Sequence, residues 1–224
     1  MPSPNIWYSP ETYEIENRAV DRAGRIVALL RDLGGWEGRD VLDVGCGTGF
    51  HLPLLAEGAR SVVGVEPHGD LVALARRRTR RLGNVEVRHG SATALPLAEA
   101  SVDVVHARWA YFFGPGCEHG LDELDRVVRP GGRAFVIDND PTRSTFGAWF
   151  RRGYPQRDPT AVAAFWRARG WERHPLDIAW TFDDREDLEA VVRIELPTTV
   201  AEEVLAEHEG TSVDYAINVW TRVF

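Results

Sequence analysis

Apolar positions recur with two different periods along this chain, and the alternation between them predicts its architecture. From Glu14 to about Leu33, Ile15, Ala19, Ala23, Ile26, Val27 and Leu30 repeat at helical spacing until Gly34-Gly35 ends the run, which predicts one leading helix. Short β-branched runs follow at Val41–Val44, Ser61–Val65, Val85–Arg88, Val102–His106 and Arg133–Asp138. Between them lie helical segments over Phe50–Ala56, Gly69–Leu82 and Glu118–Val128. The last third reads as helices over Thr145–Arg152, Thr160–Arg169, Asp184–Glu195 and Thr199–His208, a strand over Pro175–Phe182, and a closing alternating run from Val213 to Phe224.

Strands and helices alternating at such short intervals predict a doubly wound α/β sheet, with right-handed crossovers and ligands beyond the carboxyl ends of its strands. No linker or internal repeat divides the 224 residues, so residues 1–224 are expected to form a single domain. Within it, residues 1–38 are expected to supply a lid and helix, and residues 141–169 a cap over the substrate.

Composition removes several classes of function. All 26 basic residues are arginine, so chemistry that needs a Schiff-base lysine or a P-loop lysine is excluded. The net charge of −8 argues against a general nucleic-acid binder, because phosphate neutralisation needs an excess of basic charge on one face. The run Ala75-Arg76-Arg77-Arg78-Thr79-Arg80-Arg81 would spread its charges around a helix, which reads as a solvated face. Two cysteines, one of them inside a glycine turn, suit a reducing compartment. No apolar stretch is long enough for a membrane span and the first residues lack the layout of a secretion signal, so a cytoplasmic protein is expected.

The chemistry is concentrated in DVLDVGCGTGFH, residues 40–51, where an apolar strand breaks into three glycines. Such a turn exposes backbone N–H groups at the start of a helix and lets a ligand approach closely. A dinucleotide fingerprint would place its third glycine where Phe50 stands; here that glycine falls at Gly49 instead. NAD and FAD are therefore disfavoured.

The stretch DVLDVGCGTG resembles the first motif of the class I S-adenosylmethionine-dependent methyltransferases, of the type acting on small molecules. VVGVEP, HGSATALPLAEASVDVVHA and ELDRVVRPGGRAFVID resemble that family's next stations in order, over about Val41 to Asp138. The resemblance implies a Rossmann-like seven-stranded sheet, mostly parallel with one antiparallel C-terminal strand. It places Asp43, Gly45, Cys46, Gly47 and Gly49 around the methionine part of S-adenosylmethionine, and Glu66 on the ribose with Pro67 beside it. Ser91, where the family often has Asp, and Ala92 fall at the adenine. Tyr13 would close over the cofactor as part of the lid, and His106 would offer it a backbone carbonyl.

Methyl transfer from a sulfonium needs alignment more than acid or base. His106, ending the fourth strand, is the candidate general base, and Trp109 and Tyr111 in the following loop could stack on a planar acceptor or surround a cationic one. Asp138-Asn139-Asp140 resembles part of a magnesium site of catechol-type O-methyltransferases, but His106-Ala107-Arg108-Trp109 lacks the carboxylate that site also needs. No metal is expected, and Asn139 is assigned to the substrate side. The Asn/Asp-Pro-Pro-Tyr motif of methyltransferases acting on DNA bases or release factors is missing.

The expected activity is O- or N-methylation of a small-molecule acceptor, releasing S-adenosylhomocysteine. The alternatives are a protein that binds the cofactor without transferring a methyl group, as a sensor or partner subunit, and an RNA methyltransferase. No nucleic-acid or membrane partner is expected, and the oligomeric state is a monomer or homodimer.

Overall fold

The computed structural model describes residues 4–224. Two helices open the chain, Pro4–Tyr8 (α1) and Pro10–Ala19 (α2), and a third spans Arg25–Asp32 (α3). The single leading helix expected over Glu14–Leu33 is thus broken in the middle. Val20 turns to extended backbone and bridges Trp180, while Asp21 adopts φ 54°. The Asp21 carboxylate then accepts the free N–H groups of Arg25 (3.0 Å) and Ile26 (2.7 Å), capping α3.

The alternating part follows in order. It runs through Asp40–Val44 (β1), Leu52–Ala56 (α4), Ser61–Glu66 (β2), Gly69–Thr79 (α5), Val85–His89 (β3), Val102–Arg108 (β4), Glu118–Val127 (α6) and Val128–Asn139 (β5). Thr145–Gly153 (α7), Pro159–Ala168 (α8), Glu172–Thr181 (β6), Arg185–Glu195 (α9), Thr198–Glu207 (α10) and Ser212–Val223 (β7) complete it.

The seven strands form one sheet in the order β3-β2-β1-β4-β5-β7-β6. All are parallel except β7, which runs antiparallel between β5 and β6. The sequence expectation of a mostly parallel sheet with one antiparallel C-terminal strand is met. The chain winds outward from β1 to β3 and returns on the other side of β1 with β4, which leaves a crevice at the carboxyl ends of β1 and β4.

Successive residues of a strand point to opposite faces, and helices cover both faces here. Val41 and Val104 pack into one core with Ile26, Leu30, Val191 and Trp180, while their neighbours Leu42 and Val105 pack into the other with Leu121, Leu124 and Trp166. At the amino ends of the strands, Asp40 and Asp103 are clamped by Arg60 and Arg129, away from the crevice. This leaves the carboxyl ends for chemistry.

Candidate active site

The turn after β1 folds back on β2, with the N–H groups of Gly45 and Cys46 donating to the Val65 carbonyl at 2.8 and 3.1 Å. Gly45 has φ +73°, and a methyl group there would collide with Ala110 in the loop after β4. The two loops that frame the crevice are therefore in direct contact. Gly49 serves another purpose than the one expected of it. A side chain there would stand 3.0 Å from Ala75 of α5, so this glycine lets a helix pack and does not line the cavity.

A cavity of about 320 Å³ opens between these loops, within the range of roughly 300–1,000 Å³ usual for small-molecule sites. Its first wall holds Gly45, Cys46, Gly47, Glu66, Pro67, Ser91, Ala92 and Thr93. Glu66 ends β2, is 4% exposed, and accepts the N–H groups of Gly47 (3.1 Å) and His68 (2.9 Å). Each oxygen keeps a lone pair for a further donor. Burial pushes the Glu66 carboxyl above the usual range, and the two amides only partly oppose it. Ser91 and Thr93 face each other, hydroxyl to hydroxyl, at 3.1 Å. The Cys46 thiol is pushed well up by burial, which makes it a packing group here, not a nucleophile.

The roof comes from the N-terminal helices: Ile6, Trp7, Tyr13 and Asn17 line the cavity. Ile6 packs against Gly47, where an added methyl would lie 2.6 Å from its Cδ1. Trp7 stacks on His68 with ring centres 5.3 Å apart. Arg78 of α5 latches the roof, donating to both Glu14 oxygens (3.0 and 2.7 Å) and to the hydroxyl and carbonyl of Thr48 (2.9 and 3.1 Å). Thr48 itself donates to Glu14. Burial keeps the Tyr13 hydroxyl protonated, its pKa raised well above the usual value.

His51, from the turn after β1, and Arg108, Trp109, Ala110 and Tyr111, from the end of β4 and its loop, also line the cavity. Here the expectation that the fourth strand ends at His106 is corrected. The strand does not end there but runs two residues further, to Arg108. His106 stands opposite Asp43 in the register of β4 and β1, and its Nδ1 lies 2.7 Å from the Asp43 carboxylate. Both side chains sit beneath the cavity floor and neither lines the cavity. Asp43 therefore holds a histidine, where the sequence had suggested the methionine part of a cofactor.

The cavity position goes to Arg108, on the same face of the strand, and to His51, whose ring meets His106 edge-on at 5.9 Å. Burial, with the charges of Arg108, His106 and Arg78, depresses the His51 pKa well below 6.5. Its imidazole is neutral at physiological pH.

Trp109 and Tyr111 both adopt left-handed backbone, φ +48° and +49°, which turns their rings out of the strand direction. The Trp109 indole donates to Asn139 Oδ1 at 2.6 Å, and the Tyr215 hydroxyl donates to the same oxygen. Tyr215 also stacks on Trp109 at 6.0 Å. Asn139 is not among the residues lining the cavity and braces Trp109, which is.

The cap expected from residues 141–169 lies elsewhere too. Phe146 of α7 packs on Trp180 and Tyr215, Trp166 of α8 packs on Trp220, and no residue of this segment reaches the main cavity. It borders a separate recess of about 60 Å³ with Asp138, Asn139 and Asp140. Among the described residues, no group of three or more His, Cys, Asp or Glu side chains is arranged to hold a metal ion.

Sequence reasoning passed over Arg108, Thr93 and Ile6 and did not choose His51. For Arg108 the signal was present: residues two apart on a strand share a face, so a site at His106 continues to 108.

The walls suit S-adenosylmethionine. A buried carboxylate with free lone pairs stands at the end of β2, and the turn beside it is too tightly packed against Ala110 for a side chain at Gly45. Hydroxyl acceptors lie beyond it at Ser91 and Thr93.

Residues 42–136 match the family model described as a methyltransferase domain. A protein of Mycolicibacterium smegmatis named "Probable S-adenosylmethionine-dependent methyltransferase" is 41% identical over 109 residues, which is 49% of this chain and 40% of that one. The demethylmenaquinone methyltransferase of Staphylococcus aureus is 30% identical over 122 residues, 53% of this chain and 51% of that one. The chain thus spans about half or less of the length of these relatives. The crystal structure of a SAM-dependent methyltransferase from Aquifex aeolicus superposes with a TM-score of 0.60 at 18% identity, over 95% of this chain and 98% of that one; it is alike in fold.

Proposed function

We propose that this chain, whose residues 42–136 match a methyltransferase domain, is a class I S-adenosylmethionine-dependent methyltransferase that moves the cofactor's methyl group to an oxygen or nitrogen of a small-molecule acceptor in the cytoplasm. One observation carries the reading. A single roofed cavity is lined by a buried carboxylate, Glu66, and by an aromatic surface with a neutral imidazole.

Glu66 would accept hydrogen bonds from the ribose hydroxyls, with Ser91 and Thr93 at the adenine. Gly45 to Gly47 would lie along the methionine part under Tyr13. When bound, the cofactor supplies an electrophilic methyl on a sulfonium, whose thioether leaves without protonation. The protein's work is then placement and exclusion of water. Trp109 and Tyr111 give flat apolar walls to the acceptor, while Ile6, Trp7 and Tyr13 close the roof. His51 is the residue in reach to take the acceptor's proton, since its ring is uncharged and its neighbours keep it so.

Calorimetry with S-adenosylhomocysteine tests the cofactor site, and micromolar binding is expected. Labelled S-adenosylmethionine incubated with a metabolite extract then tests transfer, with label expected in a small organic product. Binding without any labelled product would instead favour a cofactor-binding protein that does not methylate, and label in RNA would favour an RNA methyltransferase.

A further inference from the structure

Arg108 is the last residue of β4, and its side chain is enclosed at the cavity between the roof and Trp109. Its Nε has no hydrogen-bond partner. Its guanidinium carbon lies 4.5 Å from the centre of the Trp109 ring. Other arginines of this protein are tied to carboxylates: Arg60 and Arg129 to Asp40 and Asp103, and Arg78 to Glu14. The acidic groups nearest in effect to Arg108 are otherwise engaged. Asp21 caps α3, and burial beside Glu195 raises the Glu16 pKa well above the usual range, toward its neutral form. Burial lowers the Arg108 pKa to about 10, so the guanidinium is still charged at neutral pH. A buried charge is costly unless paired and hydrogen-bonded. Here a half-buried guanidinium with an unpartnered Nε lines the cavity.

We propose that the acceptor is an anion whose carboxylate seats on Arg108, with the rest of the molecule lying along Trp109 and Tyr111. The inference rests on the methyltransferase reading above. A guanidinium presents a planar fork of donors matched to a carboxylate, and one already lying on an indole keeps its edge free for that contact. Arg108 lines the same cavity as Glu66, Ser91 and Thr93, and its guanidinium lies against Trp109, one of the aromatic residues offered to the acceptor.

The test uses the protein saturated with S-adenosylhomocysteine, titrated by calorimetry with benzoate, phenylacetate and 3-phenylpropionate, each beside its own amide. At least one carboxylate is expected to bind tenfold or more tighter than its amide, and Arg108→Met is expected to abolish that preference, with Arg108→Lys retaining part of it. The absence of any carboxylate preference in the unsubstituted protein overturns the proposal, whatever the variants do. S-Adenosylhomocysteine and 5′-methylthioadenosine, which lacks the amino-acid carboxylate, are titrated against the same variants. If Arg108→Met weakens the first tenfold and leaves the second unchanged, Arg108 holds the cofactor's own carboxylate, and the proposal fails while the methyltransferase reading stands. Failure of the unsubstituted protein to bind either nucleoside defeats that reading first.

Discussion

Asp43 and His106 face each other across neighbouring parallel strands, 2.7 Å apart, with side chains only 4% and 5% exposed. The pair ties β1 to β4 directly beneath the cavity, and His51 rests its ring against it. Removing one member of a buried polar pair strands the other. His106→Ala is therefore expected to cost about 3 kcal/mol in urea unfolding. His106→Gln, which keeps a donor for Asp43, is expected to retain most of the turnover. A hundredfold loss of turnover in that variant with cofactor affinity intact would return His106 to the role of base.

Glu66→Gln tests the ribose contact. Gln has a single accepting oxygen where Glu66 uses one for Gly47 and the other for His68, so one backbone N–H loses its partner and the charge is gone. Hydrogen bonds to charged groups contribute about 1.5–3 kcal/mol, and the dissociation constant for S-adenosylhomocysteine is expected to rise roughly 10- to 100-fold by calorimetry. An unchanged constant would remove Glu66 from the site.

Arg78→Ala releases the latch between α5, the glycine turn and α2. Four hydrogen bonds from one guanidinium are lost, most of them to a partly buried carboxylate and hydroxyl. The expected readout is faster amide exchange through residues 10–19 and a roughly fivefold weaker S-adenosylhomocysteine complex, at about 1 kcal/mol of global stability. Exchange confined to the unsubstituted rate would show that the roof is held by other contacts.

Asp138 gives a pH test outside the cavity. Burial raises its pKa from 3.8 to about 6, so between those values the folded chain holds a proton that the unfolded chain releases. Stability from this group consequently falls as pH rises through that interval, and the full cost stands above pH 6. Asp138→Asn removes the cost while keeping an oxygen for the Asn139 N–H. The variant is expected to exceed the unsubstituted protein by up to about 3 kcal/mol at pH 8, with the two converging below pH 4 in chemical denaturation. A constant difference across pH would mean that Asp138 does not titrate as its burial dictates.

The sheet and the first wall of the cavity were legible in the sequence because they rest on local signals. β-Branched runs mark the strands, and a glycine turn followed by a glutamate at the end of the next strand marks the cofactor side. The misreadings have a common cause in contacts between distant segments. Helical spacing continued through Val20 to Gly24, but pairing with Trp180 and the Asp21 cap break the helix there. His106 looked like a strand end until register with Asp43 and two more residues of pairing, Ala107 with Val136 and Arg108 with Ile137, carried β4 onward. Nothing local reveals that Trp109 and Tyr215 share the side-chain oxygen of Asn139. The aromatic residues of 141–169 looked like a cap, yet partners on β6 and β7 draw them to the far half of the sheet.

Two residues of extra strand have a consequence for how such a protein changes its substrate. Glu66 and the residues grouped with it are built on β1, β2 and β3 and the loops that follow them, whereas Arg108 and Trp109 hang from the tip of β4 and are braced from β5 and β7. Shortening that tip by one pairing step would withdraw the guanidinium and re-aim the indole, while Glu66 ends β2 and Ser91 follows β3. If Arg108 seats the acceptor as proposed, acceptor choice can drift by small changes at a single strand terminus, while the residues proposed for the methyl donor keep their own strands.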